Sequence, residues 1–194
     1  MITSAERVIE VNNASPQESA NRAYGLAEGA SNTKSTNGAG VPSTQSSVVL
    51  RIATLHDLAS LQHIEQTCFT TDRLSKSRFK FYIDAQHAEL IVAEREPSTS
   101  SSNLDKNKPS VNSIVGYGLL LLRRGTQLTR LYSIAVLPEA RGLGVAEKLI
   151  NSLGERALLR GKRFMRLEVA VGNAGAIALY KKLGFSQFLS LIHI

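Results

Sequence analysis

The stretch Arg141-Gly142-Leu143-Gly144-Val145-Ala146 lies between a strand-like apolar run and an amphipathic helical pattern. Glycines in such a turn let the backbone approach a ligand closely, and the free N–H groups of a helix start bind phosphate oxygens. Three phosphate-binding readings compete. A P-loop needs Gly-Lys-Ser/Thr, which is absent. A dinucleotide fingerprint needs a small residue where Glu147 stands, and it normally follows the first strand of its fold. The pattern Arg/Gln-x-x-Gly-x-Gly/Ala fits as written, at Arg141, Gly144 and Ala146. Downstream stand two side chains able to move protons. Glu168 alternates with Met165, Leu167 and Val169 on a strand, facing the other way. It is a candidate general base, and equally a surface partner for Arg166 or Arg130. Tyr180 shares a helical stripe with Ala176, Leu179 and Leu183, so it points inward with a hydroxyl that needs a partner. Asn173 opens that helix as its N-cap.

Other residues of reactive type carry less. His56, His63, His87 and His193 show no metal-ligand spacing. Cys68 is the single cysteine, which rules out an internal disulfide and a cysteine-based zinc site, and it reads as core packing. Lys181 and Lys182 lie on an exposed helix face, and Arg123-Arg124 closes a strand as an edge charge.

Positioning these groups requires a folded body, and the apolar periods supply one. Val48–Ile52 reads as a strand, and Thr54 with Asp57 as an N-cap pair for a helix through Leu58, Leu61, Ile64 and Glu65 towards Cys68. Ser75 caps a second helix through Phe79, Tyr82 and Ile83. Glu89–Glu94 and Ser113–Leu122 form a hairpin, followed by a strand over Leu128–Leu137 that Pro138 ends. A helix then carries Val145, Leu149, Leu153 and Ala157 on one face and stops at Gly161. Arg163–Val171 is expected as a fully alternating strand, Asn173 to Gly184 as a helix, and Phe185–Ile194 as a final strand. The order β-α-α-β-β-β-α-β-α-β implies a mixed sheet in an α/β or α+β domain.

The chain has 194 residues, enough for one domain with a real core, and 43% hydrophobic against 20% charged residues is ordinary for a globular protein. Residues 1–47 are expected to be a disordered, low-complexity tail and residues 48–194 the domain, with a polar loop at 97–113. A short helix near Ala20–Ala27 would be marginal. The net charge is +7; residues 1–49 sum to −1, which leaves +8 on the rest and suggests an anionic partner. No apolar run approaches a membrane span, no secretory signal is readable, and the lone cysteine suits a reducing, cytoplasmic compartment. Nucleic acid stays open on charge alone, without the aromatic–basic interleaving that would support it.

Taken in order, Leu131-Tyr132-Ser133-Ile134-Ala135-Val136, the glycine turn, Leu167-Glu168-Val169, Asn173-Ala174-Gly175-Ala176-Ile177-Ala178-Leu179-Tyr180 and Leu183-Gly184-Phe185 closely resemble the GNAT N-acetyltransferases. Within that family they look most like the RimI group, which acetylates the N-terminal alanine of a ribosomal protein. The resemblance covers residues 48–194 and is strongest over 130–185. It implies the acyl-CoA N-acyltransferase fold, a mixed central sheet flanked by helices, with acetyl-CoA as co-substrate and no metal. On the residues that match, Ile134-Ala135-Val136 would run along the pantetheine arm, Ile134 and Val136 holding its amides. The N–H groups of Arg141, Gly142, Leu143, Gly144, Val145 and Ala146 would hold the diphosphate, and Asn173 would touch the cofactor. Lys181 and Lys182 would be placed for its 3′-phosphate. Glu168 would act as base, directly or through water, and Tyr180 would protonate the departing thiolate. The implied acceptor is a protein or peptide N-terminal amine; a small amine, a lysine side chain, or a CoA-binding module with weakened catalysis are the alternatives. Two departures stand out. Relatives continue into a substrate-lining loop and a seventh strand, so that seventh strand, the last of the fold, is expected to be absent here, and the 97–113 loop is longer than usual.

Overall fold

A computed structural model describes residues 10–12, 48–96 and 114–188. Strands β2 (Val48–Ile52), β3 (Ala88–Arg95), β4 (Ile114–Leu122), β5 (Leu128–Val136) and β6 (Phe164–Leu167) form one sheet in that order. All its pairings are antiparallel except β5 with β6, which is parallel. Helices α1 (Leu58–Cys68) and α2 (Lys76–Asp84) cover one face, and α3 (Val145–Leu159) covers the other. Helix α4 (Ala174–Lys182) leads to β7 (Ser186–Phe188).

The two faces bury two cores. Leu149, Leu153 and Ala157 of α3 pack with Leu120, Leu131, Met165 and Leu167 on one side. Leu61 and Ile64 of α1 and Phe79 of α2 pack with Val92, Tyr117 and Leu119 on the other. Gly118 seats α3 tightly on the sheet, because a Cβ there would come within 2.8 Å of the Leu153 side chain. The helix boundaries follow local chemistry. Ser75 Oγ accepts from the Arg78 N–H at 3.3 Å, Asn173 Oδ1 accepts from the Ala176 N–H at 3.1 Å, and Gly161 and Gly184 adopt the left-handed conformation that ends α3 and α4.

Ahead of α1, Leu55–Asp57 is a single 3-10 turn. The Asp57 carboxylate accepts the Thr54 N–H at 2.7 Å and both ends of the Arg51 guanidinium at 2.8 and 2.9 Å. Burial opposes its ionisation, yet Arg51 and Thr54 more than offset that and hold the carboxyl below its ordinary range.

Two expectations need correction. β6 is shorter than the expected Arg163–Val171: pairing with β5 stops at Leu131 and Leu167, and Val171 is exposed where continued alternation would bury it. Beyond Leu167 the pairing with β5 has ended, so that ladder no longer holds the chain extended. Within the expected tail, Glu10–Asn12 forms a strand, β1, which pairs antiparallel with β7 and also lies against β6. Of the expected final strand, Ser186–Phe188 is observed; residues 189–194, the 97–113 loop and the Ala20–Ala27 helix lie outside the described residues.

Two outcomes are expected. Deleting residues 1–12 removes the partner of β7, so amide-exchange protection at Ser186–Phe188 should be lost and the melting temperature should fall. Asp57→Asn should cost about 2 kcal/mol at neutral pH, since charge-assisted hydrogen bonds are lost. Because folding lowers the Asp57 pKa, its contribution is complete above the ordinary value of 3.8 and vanishes as pH falls through the lower folded value. Denaturant titrations from pH 7 to 2 should show a shallower acid loss in the variant; an identical slope would remove Asp57 from the acid response.

Candidate active site

The site begins with an irregularity in β5. Leu119 of β4 faces Ser133 while Leu120 faces Leu131, so Tyr132 is an extra residue, a bulge. A bulge bends and twists its strand. Pairing with β6 ends beside it, and β5 runs on through Ser133–Val136 away from β6. The two strands open into a cleft of about 690 Å³.

One wall is the backbone of Ile134–Val136, on the strand edge that β6 has left. A second is the turn into α3, lined by Arg141, Gly142, Gly144, Val145, Ala146 and Glu147. Gly142 and Gly144 have φ of 78° and 73°, and a Cβ at either would meet nothing within 4 Å. Conformation, not crowding, therefore calls for glycine there. The first N–H groups of α3 have no partner within the helix and carry the positive end of its dipole. The third wall is α4, with Asn173, Gly175, Ala176, Leu179 and Tyr180.

Tyr180 is buried, edge-on to Phe185 with ring centroids 5.8 Å apart. Burial pushes its hydroxyl up to about 12, so it holds its proton at neutral pH. Glu168 is placed differently. It follows the last paired residue of β6, is absent from the cleft lining and bonds Arg130 Nη2 at 2.5 Å. The surface-pair reading of Glu168 therefore describes its present geometry. Leu143 also points away from the cleft, 52% exposed. Lys182 is drawn to Glu147 at 2.8 Å, and neither it nor Lys181 lines the cleft.

Sequence reasoning missed several participants. Cys68, read as core, lines the cleft half-buried, and its thiol donates to the Val136 carbonyl at 3.5 Å. Burial pushes that thiol up, with Arg141 partly offsetting the effect. Arg141 Nε also donates to the Val136 carbonyl, at 3.3 Å, so a ligand amide reaching for this oxygen competes with both. Deeper, Glu65 is 2% exposed and Tyr117 is fully buried. Tyr117 Oη donates to Glu65 Oε1 and lies 2.7 Å from Ser133 Oγ; with its one proton committed, it accepts from the serine. Glu65 Oε2 takes the Leu74 N–H at 2.9 Å. Burial, then Glu65, raises the Tyr117 pKa. This chain of bonds ties the cleft rim after α1 to the residue beside the bulge. Its signal in the sequence was Glu65 on the apolar stripe of α1, with no hint of the partner.

Among the described residues no group of three His, Cys, Asp or Glu side chains is arranged to hold a metal, and no helix is long and apolar enough to cross a membrane.

A sheet split beside a bulge, with an exposed strand edge and a glycine turn feeding a helix N-terminus, defines the acyl-CoA N-acyltransferase class of fold. The acetyltransferase (GNAT) family model matches residues 58–185, and the chain belongs to that family. It is 43% identical over 61 residues to an uncharacterized N-acetyltransferase of Methanocaldococcus jannaschii, covering 31% of this chain and 27% of that protein. It is 28% identical over 131 residues to a putative [ribosomal protein bS18]-alanine N-acetyltransferase of Bacillus subtilis, covering 67% of this chain and 75% of the relative. For most of the curated relatives compared, the match spans about half of their length or less. The fold is shared with the ribosomal-protein-S18-alanine N-acetyltransferase of Escherichia coli, at a TM-score of 0.57 and 22% identity over 72% of this chain and 78% of that one.

Tyr117→Phe should leave a buried carboxylate oxygen of Glu65 without its donor, at a cost of roughly 1–3 kcal/mol. Acetyl-CoA affinity should weaken with it, because Ser133 and the bulge lose their anchor. Chemical denaturation and calorimetric titration measure the two; unchanged values in both would detach this network from the site.

Proposed function

We infer that the chain transfers the acetyl group of acetyl-CoA directly to a primary amine, with a protein or peptide N-terminus as the favoured acceptor. The observation that carries this reading is the meeting of three features in one cleft: the open edge of β5, the N–H groups of the glycine turn, and a buried, protonated tyrosine. The donor fits these groups. Backbone amides along Ile134–Val136 match the pantetheine amides, and the N–H groups from Arg141 to Ala146 match the diphosphate. Asn173 lies beside them while capping α4.

In this reaction the neutral amine attacks the thioester carbonyl carbon, the C–S bond breaks, and the amine nitrogen loses a proton. Tyr180 supplies the proton that the departing thiolate takes up. Glu168 accepts the proton from the amine through solvent, held by Arg130 at the surface end of β6. The acceptor reading draws on the likeness to ribosomal-protein-alanine N-acetyltransferases. A reducing, cytoplasmic setting suits the single free cysteine at the cleft. A second reading, a CoA-binding module with weak turnover, is favoured by the engagement of Glu168 with Arg130 outside the cleft lining.

Titration with acetyl-CoA, followed by thiol release over a panel of peptides and small amines, separates the readings. Binding with turnover supports the enzyme, binding without turnover on any acceptor supports the module, and absence of binding defeats both. Tyr180→Phe should lower kcat by roughly 10²-fold or more, the usual yield of a positioned acid, with little change in acetyl-CoA affinity. A kcat unchanged across pH would remove Tyr180 from the proton transfer.

A further inference from the structure

Along β5 from the cleft lies a second concavity of about 230 Å³, lined by Leu121, Leu122, Arg123, Leu128, Arg130 and Arg166. Arg130 and Arg166 are register partners across the parallel β5–β6 pair, so their side chains leave the sheet on one face. Arg123 joins them from the end of β4. Like charges side by side on a sheet destabilise it, and Glu168 is bonded to Arg130 here. The face is that of α1 and α2: the Arg130 guanidinium stacks 5.5 Å above the Tyr132 ring, which itself packs near Tyr82 of α2. Along β5, Tyr132 lies between Arg130 and Ile134, the first residue of the strand to line the cleft.

The geometry points to this hollow as a subsite for an anionic side chain of the acceptor, close to the amine that is acetylated. The inference rests on the transfer reading above and names its substrate class: a peptide whose N-terminal segment is acidic. At about 3.3 Å per extended residue, Arg130 lies roughly 13 Å along β5 from Ile134. A peptide lying extended along that path would therefore place its third or fourth side chain among the arginines. Guanidinium forks take carboxylates and phosphates alike, so aspartate, glutamate and phosphoserine are all candidates at that position.

The test uses the full chain with peptides of one sequence beginning in alanine, carrying Asp, Glu, phosphoserine or Lys at the third or fourth position. The kcat/KM for thiol release should favour the acidic peptides over lysine by roughly tenfold. The preference should shrink in 0.5 M salt. The Asp and Glu arms against the phosphoserine arm tell which anion is preferred. Arg123→Glu should move the preference towards the lysine peptide, and Arg166→Gln should cut the preference without weakening acetyl-CoA binding. Equal rates for all peptides, or a lysine preference in the unaltered chain, would overturn the subsite. So would displacement of the acidic peptide by a short RNA at equal concentration, which would give the hollow to nucleic acid. Calorimetric titration of the N-acetylated product peptides makes the result independent of turnover. Should no amine be acetylated, the transfer reading fails, while tighter binding of acidic than basic peptides still supports the hollow and equal binding overturns it.

Discussion

A carboxylate buried under the middle of a sheet has to be fully bonded, since an unpaired charge there costs several kcal/mol. Glu65 meets that requirement through two groups far apart in the chain, the Leu74 N–H and the Tyr117 hydroxyl, and Tyr117 in turn is bonded by Ser133. Returning β5 to regular pairing would shift Ser133 relative to Tyr117 and leave the network one partner short. Through Tyr117 the buried carboxylate is joined to Ser133, the residue beside the bulge at Tyr132. Beside the bulge the pairing of β5 with β6 ends, and the part of β5 beyond it lines the cleft. The same carboxylate also accepts from the chain leaving α1, so one buried group ties that chain to the sheet.

The donor side of the cleft is built mainly from backbone. Two left-handed glycines turn the chain so that α3 presents its N–H groups, and β5 presents an edge that its neighbour has left. Such groups are oriented by secondary structure and lose little freedom when a ligand arrives. Charged side chains take a supporting part. Lys182 and Glu147 tie α4 to α3, a modest exposed contact, and Arg141 folds back onto Val136. In the proposed reading, direct contact with the donor falls to the peptide groups, with the excess positive charge of the chain around them.

This division explains what could be read from the sequence. Glycines at positive φ, the serine and asparagine caps and the apolar stripe of α3 are local signals, and each element they mark is present. Tyr180 was placed inward by its stripe, and it lines the cleft. The bulge, the shortened β6 and the pairing of β1 with β7 depend on partners distant in the chain; Tyr117 and Glu65 are separated by 52 positions. Periodicity carried the alternation of Met165, Leu167 and Val169 onward to Val171, because it has no means of sensing where the neighbouring strand turns away. Cys68 looked like core for the same reason: its helix face is apolar, and only the splayed strand beside it turns that face into a cleft wall.

The separate surroundings of Tyr180 and Glu168 suit opposite halves of an acyl transfer. A proton donor to a thiolate must keep its proton at neutral pH and stay out of water's competition, which burial of Tyr180 achieves. A proton acceptor for an arriving ammonium gains from the reverse position, at the solvent edge, where each proton can be passed on after every cycle. Glu168, about one-third exposed and secured by Arg130, has that position. In the proposed reading, two proton-transfer groups in contrasting environments, one dry and one wet, would divide the acid and base duties. Where β6 ends therefore matters as much as which residues it carries: one more paired residue would carry Glu168 into the sheet.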